Sequence, residues 1–194
     1  MIGKSSNEKC GLRSGDKVHW DRITTEHLVH FFASPDELAA TAAGYFSAGL
    51  AEGGVALCVA TDDHRSRVER DLAAGGIDLS ALRKSGRYAS FDAGETLSKL
   101  VQGENLNYSL FQKVIGSIVS KACRTGKKVR VFGEMVSLLW QVGNRRGAVE
   151  LERFWNELAT REKFSLFCAY PKRTEDVNER ELADVCNAHS VVLL

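Results

Sequence analysis

Two residues of this chain stand where ligand chemistry is usually found. Glu134 follows the apolar run within VRVFGEM (129 to 135), and Tyr170, followed by Pro171, closes the run within FSLFCAYP (164 to 171). If both runs are strands of one open parallel sheet, both residues lie at carboxyl ends, outside which such sheets bind ligands. Glu134 then acts as a hydrogen-bond acceptor or base in a pocket, or simply as the first acidic residue of the next helix, set against its dipole. Tyr170 offers an apolar ring and a hydroxyl. His64 comes at the top of another apolar run and faces either the same crevice or the core. Trp140 and Trp155 lie on apolar helix faces, as core or as the aromatic wall that a small apolar ligand needs. Asn156, next to Trp155, is read as a cap, a bridge to Glu134 or a solvated side chain.

Phosphate chemistry is not legible. Nothing matches G-x-x-x-x-G-K-[ST]: Gly3-Lys4-Ser5 lacks the upstream residues, and Gly126-Lys127 is followed by Lys128 rather than a hydroxyl. His27 and His30 flank the first strand without a carboxylate or cysteine at ligand spacing, so no metal site and no cofactor are expected. The five cysteines (Cys10, Cys58, Cys123, Cys168, Cys186) form no C-x-x-C pair and are read as reduced thiols, with Cys58 and Cys168 as packing.

The elements that must position these residues follow from periodicity. HLVHFF (27 to 32), VALCVAT (55 to 61), RYASFDA (87 to 93), VRVFGEM and FSLFCAY read as strands, three of them apolar on both faces as buried parallel strands are. Ser34-Pro35-Asp36-Glu37 has capping-box spacing with proline at the first helical position, predicting a helix over 35 to 51 that buries Leu38, Ala42, Phe46 and Leu50 before Gly53-Gly54. A second helix starts at Asp62, with His64, Val68 and Leu72 on one face and Arg65/Glu69 and Arg67/Asp71 as expected pairs on the others. A third, near 148 to 161, buries Leu151, Phe154, Trp155 and Leu158. The alternation predicts an α/β fold with a mostly parallel central sheet covered by helices on both faces. Residues 1 to 22 read as a polar tail that Trp20 docks, and 23 to 194 as one domain.

Composition narrows the function. At 194 residues with 44% hydrophobic content, the chain builds one sizeable core. A net charge of +1, dispersed along the sequence, gives no footprint for direct nucleic-acid binding. No apolar run approaches a membrane span, and MIGKSSNEKC has no signal-peptide core, so a cytoplasmic location without membrane contact is expected.

Together, HLVHFF, GLAEGGVALCVATDDHR, GRYASFDAGETLSK, VRVFGEMVSLLWQVGN, LERFWNELA, FSLFCAYP and VCNAHS resemble the MEDS sensory domain, named for methanogens and methylotrophs and found in the dichloromethane-responsive regulator and many bacterial sensor proteins. The resemblance covers about residues 26 to 190. It implies a relative of the recombinase and clock-protein ATPase fold (P-loop-NTPase-like) that has lost its phosphate loop, with Ala33-Ser34-Pro35-Asp36 in the loop's place. It also implies the sensing of small organic, hydrocarbon-like ligands. Family members often carry an aromatic and acidic pair after HF, from which Phe32-Ala33-Ser34 departs. The reading is therefore a signal-transduction module, not an enzyme, with Glu134, His64, Tyr170, Trp140, Asn156 and Trp155 as candidate ligand contacts. Its output is expected to pass to a separate partner of the kinase, anti-sigma or transcription-regulator type, or through a homodimer. The alternatives are an ATPase-like hydrolase using Glu134 to activate water, and an interaction domain that binds no ligand.

Overall fold

The computed structural model describes residues 11 to 12, 19 to 172 and 179 to 193. In chain order its strands are β1 (Gly11–Leu12), β2 (His27–Phe32), β3 (Val55–Ala60), β4 (Tyr88–Asp92), β5 (Val101–Gln102), β6 (Asn105–Leu106), β7 (Val129–Gly133), β8 (Ser165–Pro171) and β9 (Val191–Leu193). The helices are α1 (Pro35–Ala51), α2 (Asp62–Ala74), α3 (Leu79–Lys84), α4 (Ala93–Ser98), α5 (Tyr108–Phe111), α6 (Ser117–Cys123), α7 (Met135–Gln141), α8 (Arg145–Ala159) and α9 (Glu179–Ala188), with a π turn at Gln112–Gly116 joining α5 to α6. Seven strands form one parallel sheet in the order β1-β9-β2-β8-β7-β3-β4, and β5 and β6 form a separate antiparallel hairpin.

The sequence explains these elements locally. The first turn of α1 has proline at N1 and the Ser34 hydroxyl accepting from Glu37 N, and Gly53, at φ 82°, supplies the left-handed residue after its end. Asn144 caps α8 in the same way, accepting from Gly147 N. Every residue of β2, β3 and β7 is buried, as is every residue of β8 except Pro171. Two cores result. One face packs Leu28, Phe132 and Phe167 against α1 and α2; the other packs Val131, Leu166 and Cys168 against α7 and α8.

Several expectations change in detail. The pairs Arg65/Glu69 and Arg67/Asp71 do not form. Arg65 binds Asp62 (2.6 Å), Arg67 binds Asp63 (2.9 Å) and Asp36 of α1, and Glu69 is taken by Arg83 (2.6 Å), because tertiary neighbours outcompete the helix-surface partners. Phe154 is only half-buried. The stretch read as a tail contributes two elements: Gly11 and Leu12 pair with Val192 and Leu193, and Trp20–Arg22 forms a 3-10 turn. Cys10 lies outside the described residues.

Trp20 is held by an interior cation. Its ring meets Tyr45 and Phe167 edge-on, at 5.6 and 6.4 Å. Arg130 of β7, 1% exposed, donates to the carbonyls of Tyr45, Trp20 and Ile23 and lies over the Tyr45 ring at 5.0 Å. Replacing it leaves carbonyls without donors and opens a hole beside Gly49. Arg130→Ala is expected to lower the unfolding free energy by about 2 to 4 kcal/mol. Denaturant titration checks the loss, and a red-shifted tryptophan emission checks the release of Trp20.

Candidate functional site

At the carboxyl ends of the neighbouring strands β3 and β7, the chain turns into α2 and α7. The Glu134 backbone N–H donates to Val59 O (2.8 Å), which fixes the turn after β7 beside Thr61. Thr61 precedes α2, yet its own side chain makes no capping bond. Instead the Glu134 carboxylate reaches across: Oε2 accepts from Thr61 N (2.8 Å) and Thr61 Oγ1 (3.1 Å), and Oε1 from His64 Nδ1 (2.6 Å). An anion thus sits at the N-terminus of α2, where orphan N–H groups and the helix dipole favour it. Glu134 is 1% exposed. The hydrogen bond to Glu134 raises the His64 pKa above its ordinary 6.5 despite partial burial, so the two form an ion pair wherever the ring is protonated.

One strand pair along, Phe32 and Pro171 are register partners at the carboxyl ends of β2 and β8. With Ala33, Ser34, Pro35 and Lys172 they line a cleft of about 380 Å³. The start of α1 is closed from within. Ala33 N donates to Glu37 Oε2 (2.8 Å) while Glu37 N donates to Ser34 Oγ (3.2 Å), a variant of the capping box in which the carboxylate reaches the residue before the N-cap. Glu37 Oε1 lies 3.5 Å from His30 Nε2 and 4.0 Å from Lys172 Nζ. The place where a phosphate would meet a helix N-terminus is therefore held by the chain's own carboxylate. His64 stands edge-on to Phe32, ring centroids 5.9 Å apart, so the Glu134–His64 pair lies directly behind one wall of the cleft.

Four other candidate contacts fall elsewhere. Tyr170 is fully buried, with its hydroxyl donating to Glu152 Oε1 (2.7 Å) and its ring against Trp140 and Phe31. Trp140 instead borders a second cleft of about 380 Å³ between α7, α8 and α9, with Arg145 over its ring at 4.4 Å. Trp155 is core, packed on Phe111 and Phe164. Asn156 does not reach Glu134. It accepts from His27 Nδ1 (2.9 Å) and donates to Ala188 O (2.9 Å), because this turn of α8 lies over the amino end of β2, opposite the end where Glu134 sits.

Tyr170 and Asn156 belong to a cluster that the sequence did not suggest. His27, Glu152, Cys168 and His189, all buried, bring one donor atom each to within 4.8 Å of one another. Glu152 is the residue whose signal was available, since it shares the inward stripe of α8 with Ala148, Leu151 and Trp155. Burial alone would raise its pKa, but His189 and then His27 outweigh that and hold the carboxyl far below the usual range. Cys168 thiol and Tyr170 hydroxyl are pushed up, first by burial and then by the Glu152 charge. Elsewhere, burial lifts the Cys58 thiol to about 12, that of a packing residue.

With the geometry in place, the family can be read. The model of the MEthanogen/methylotroph, DcmR Sensory domain matches residues 26 to 190. The chain belongs to the MEDS family. MEDS is a sensory domain, which assigns the chain a sensory role. No curated protein matches it in sequence. The KaiC-like protein PH0186 from the hyperthermophilic archaeon Pyrococcus horikoshii OT3 is similar in structure, with a TM-score of 0.56 and 17% identity over 82% of this chain and 69% of that one. That likeness gives the MEDS domain a KaiC-like α/β fold. Among the described residues no helix is long and apolar enough to cross a membrane.

The ion pair of this MEDS domain has a pH signature. His64 binds its proton more tightly folded than unfolded, so its contribution is complete below about pH 6.5 and is lost as pH rises through the higher folded value. His64→Gln is expected to cost about 1 kcal/mol in acid, less than the roughly 1.5 to 3 kcal/mol of a fully buried charge-assisted bond because the ring is half-buried and screened. The difference from wild type should fade toward alkaline pH. Urea unfolding of both proteins across pH 5.5 to 9 measures it.

Proposed function

We propose that this chain senses a small, weakly polar organic molecule bound in the cleft between the carboxyl ends of β2 and β8. The observation that carries this reading is the cleft itself. It is about 380 Å³, it lies at the strand ends where open parallel sheets take ligands, and Phe32, Pro35 and Pro171 give it apolar walls with Ser34 and Lys172 as polar points. A molecule with one carbonyl, hydroxyl or halogen matches that lining.

The same geometry argues against turnover of a nucleotide. Phosphoryl transfer needs positioned cations around the phosphates. Here the α1 N-terminus is occupied by Glu37, whose charge repels a phosphate at that position, and Glu134 is bound by Thr61 and His64 instead of facing a substrate. Signalling requires unequal ligand affinity for two conformations. The start of α1 is the element suited to this, because Ser34 and Pro35 line the cleft while Asp36 ties the same turn to Arg67 of α2. Output passes to a separate signalling protein or through self-association.

A thermal-shift series with small alcohols, halocarbons, aldehydes and organic acids, beside magnesium-ATP, tests this. A ligand at about a hundred times its Kd adds roughly 2.7 kcal/mol, which raises the Tm of a domain this size by about 5 to 10 °C. A shift with an organic molecule, lost in Phe32→Ala and absent with nucleotide, is the expected result. A shift with magnesium-ATP alone would replace the sensory-ligand reading with a nucleotide-binding one.

A further inference from the structure

We propose that His27, Glu152, Cys168 and His189 form a closed, four-ligand site for a divalent transition metal of the zinc class, lacing the C-terminal part of the chain to the centre of the sheet. The ligands come from the amino end of β2, the inner face of α8, the middle of β8 and the turn between α9 and β9, so no spacing in the sequence reveals them.

The distances fit. Tetrahedral zinc, with bonds of about 2.3 Å to sulfur and about 2.0 to 2.2 Å to nitrogen and oxygen, sets its ligand atoms roughly 3.3 to 3.6 Å apart. Here His27 Nε2 is 3.4 Å from Cys168 Sγ and 3.2 Å from Glu152 Oε2; Cys168 Sγ is 3.4 Å from Glu152 Oε2; His189 Nε2 is 3.3 Å from Glu152 Oε1. The widest separation among the four donors stays within 4.8 Å, so closing around an ion takes only side-chain adjustment.

The supporting contacts fix which atoms face inward. Asn156 donates its amide to Ala188 O, which leaves its oxygen to accept from His27 Nδ1. His189 Nδ1 faces the Val185 carbonyl (2.7 Å), which can only accept. Both rings therefore carry a proton on Nδ1, and both Nε2 atoms converge on the cluster. Metal-bound histidines are oriented in this way. His189 Nε2 is fully buried and makes no well-aligned hydrogen bond among the described residues; its nearest polar neighbour is Glu152 Oε1, at 3.3 Å.

Charge balance leads to the same conclusion. Without an ion, one histidinium can neutralise Glu152, but the second ring then turns an Nε2 lone pair toward a carboxylate oxygen in the interior, which is costly. A divalent ion with a carboxylate, a thiolate and two neutral imidazoles sums to zero. On binding, the Cys168 proton leaves to solvent and sulfur takes the metal.

The test uses the full chain, stripped with chelator and titrated with cobalt(II) and zinc(II). Expected are uptake of about one ion per chain, a thiolate-to-cobalt charge-transfer band with the strong d–d absorption of a tetrahedral site, and displacement of cobalt by zinc. The band should be abolished in Cys168→Ala and His189→Ala, kept in Cys123→Ser, and shifted to about 10- to 100-fold weaker affinity in Asn156→Ala, which keeps every ligand but releases the His27 ring. The proposal is overturned if folded wild-type chain takes up neither ion stoichiometrically, if cobalt binds without a thiolate band, or if the band survives in Cys168→Ala. Where the ligand variants do not fold, the wild-type spectrum alone decides between these outcomes.

Discussion

Burial of the parallel sheet on both faces is the constraint from which the rest of this structure follows. Along β2, β3, β7 and β8 every side chain except that of Pro171 is buried, so a polar group on these strands is best satisfied by a partner in the interior or by a place at a strand end. Both solutions are present. Arg130 takes three backbone carbonyls, Ser165 takes the Tyr45 hydroxyl (2.6 Å), and His27 takes Asn156. At the carboxyl ends, Glu134 takes a backbone N–H, a hydroxyl and an imidazole.

The turn from β2 into α1 shows how a helix N-terminus that could take an external anion can be satisfied from within. Glu37 folds back onto Ala33 N and supplies the negative charge from inside the chain. The cleft above it has proline and phenylalanine walls and a single nearby ammonium.

Much of the scaffold was legible because it is local. The bounds of β2 and α1 follow directly from HLVHFF and from Ser34-Pro35-Asp36-Glu37, where alternation, proline at N1 and the cap coincide. The strands β1 and β9 were not legible: two and three residues carry no periodicity, and their pairing is a purely tertiary event. The same division runs through the sites. Glu134 and His64 are visible from strand ends and helix faces, and they meet. Tyr170 was visible for the same reason but misleading, since its hydroxyl turns back to Glu152. The His27 cluster draws on four segments far apart in sequence, and only Glu152, an acid on an apolar stripe, broke a local rule that hinted at it.

The position of β2 bears on how this chain folds. It is the first of the long strands in the sequence, yet both of its neighbours, β8 and β9, lie in the last part of the chain. During synthesis its apolar faces and both hydrogen-bonding edges must wait for more than a hundred residues before a partner emerges. Native pairing at such separation closes long loops first, which makes for slow acquisition of the final topology. HLVHFF is consequently the segment most exposed to edge-to-edge misassociation while the polypeptide is incomplete, and histidines at two of its six positions interrupt what would otherwise be an unbroken hydrophobic ribbon.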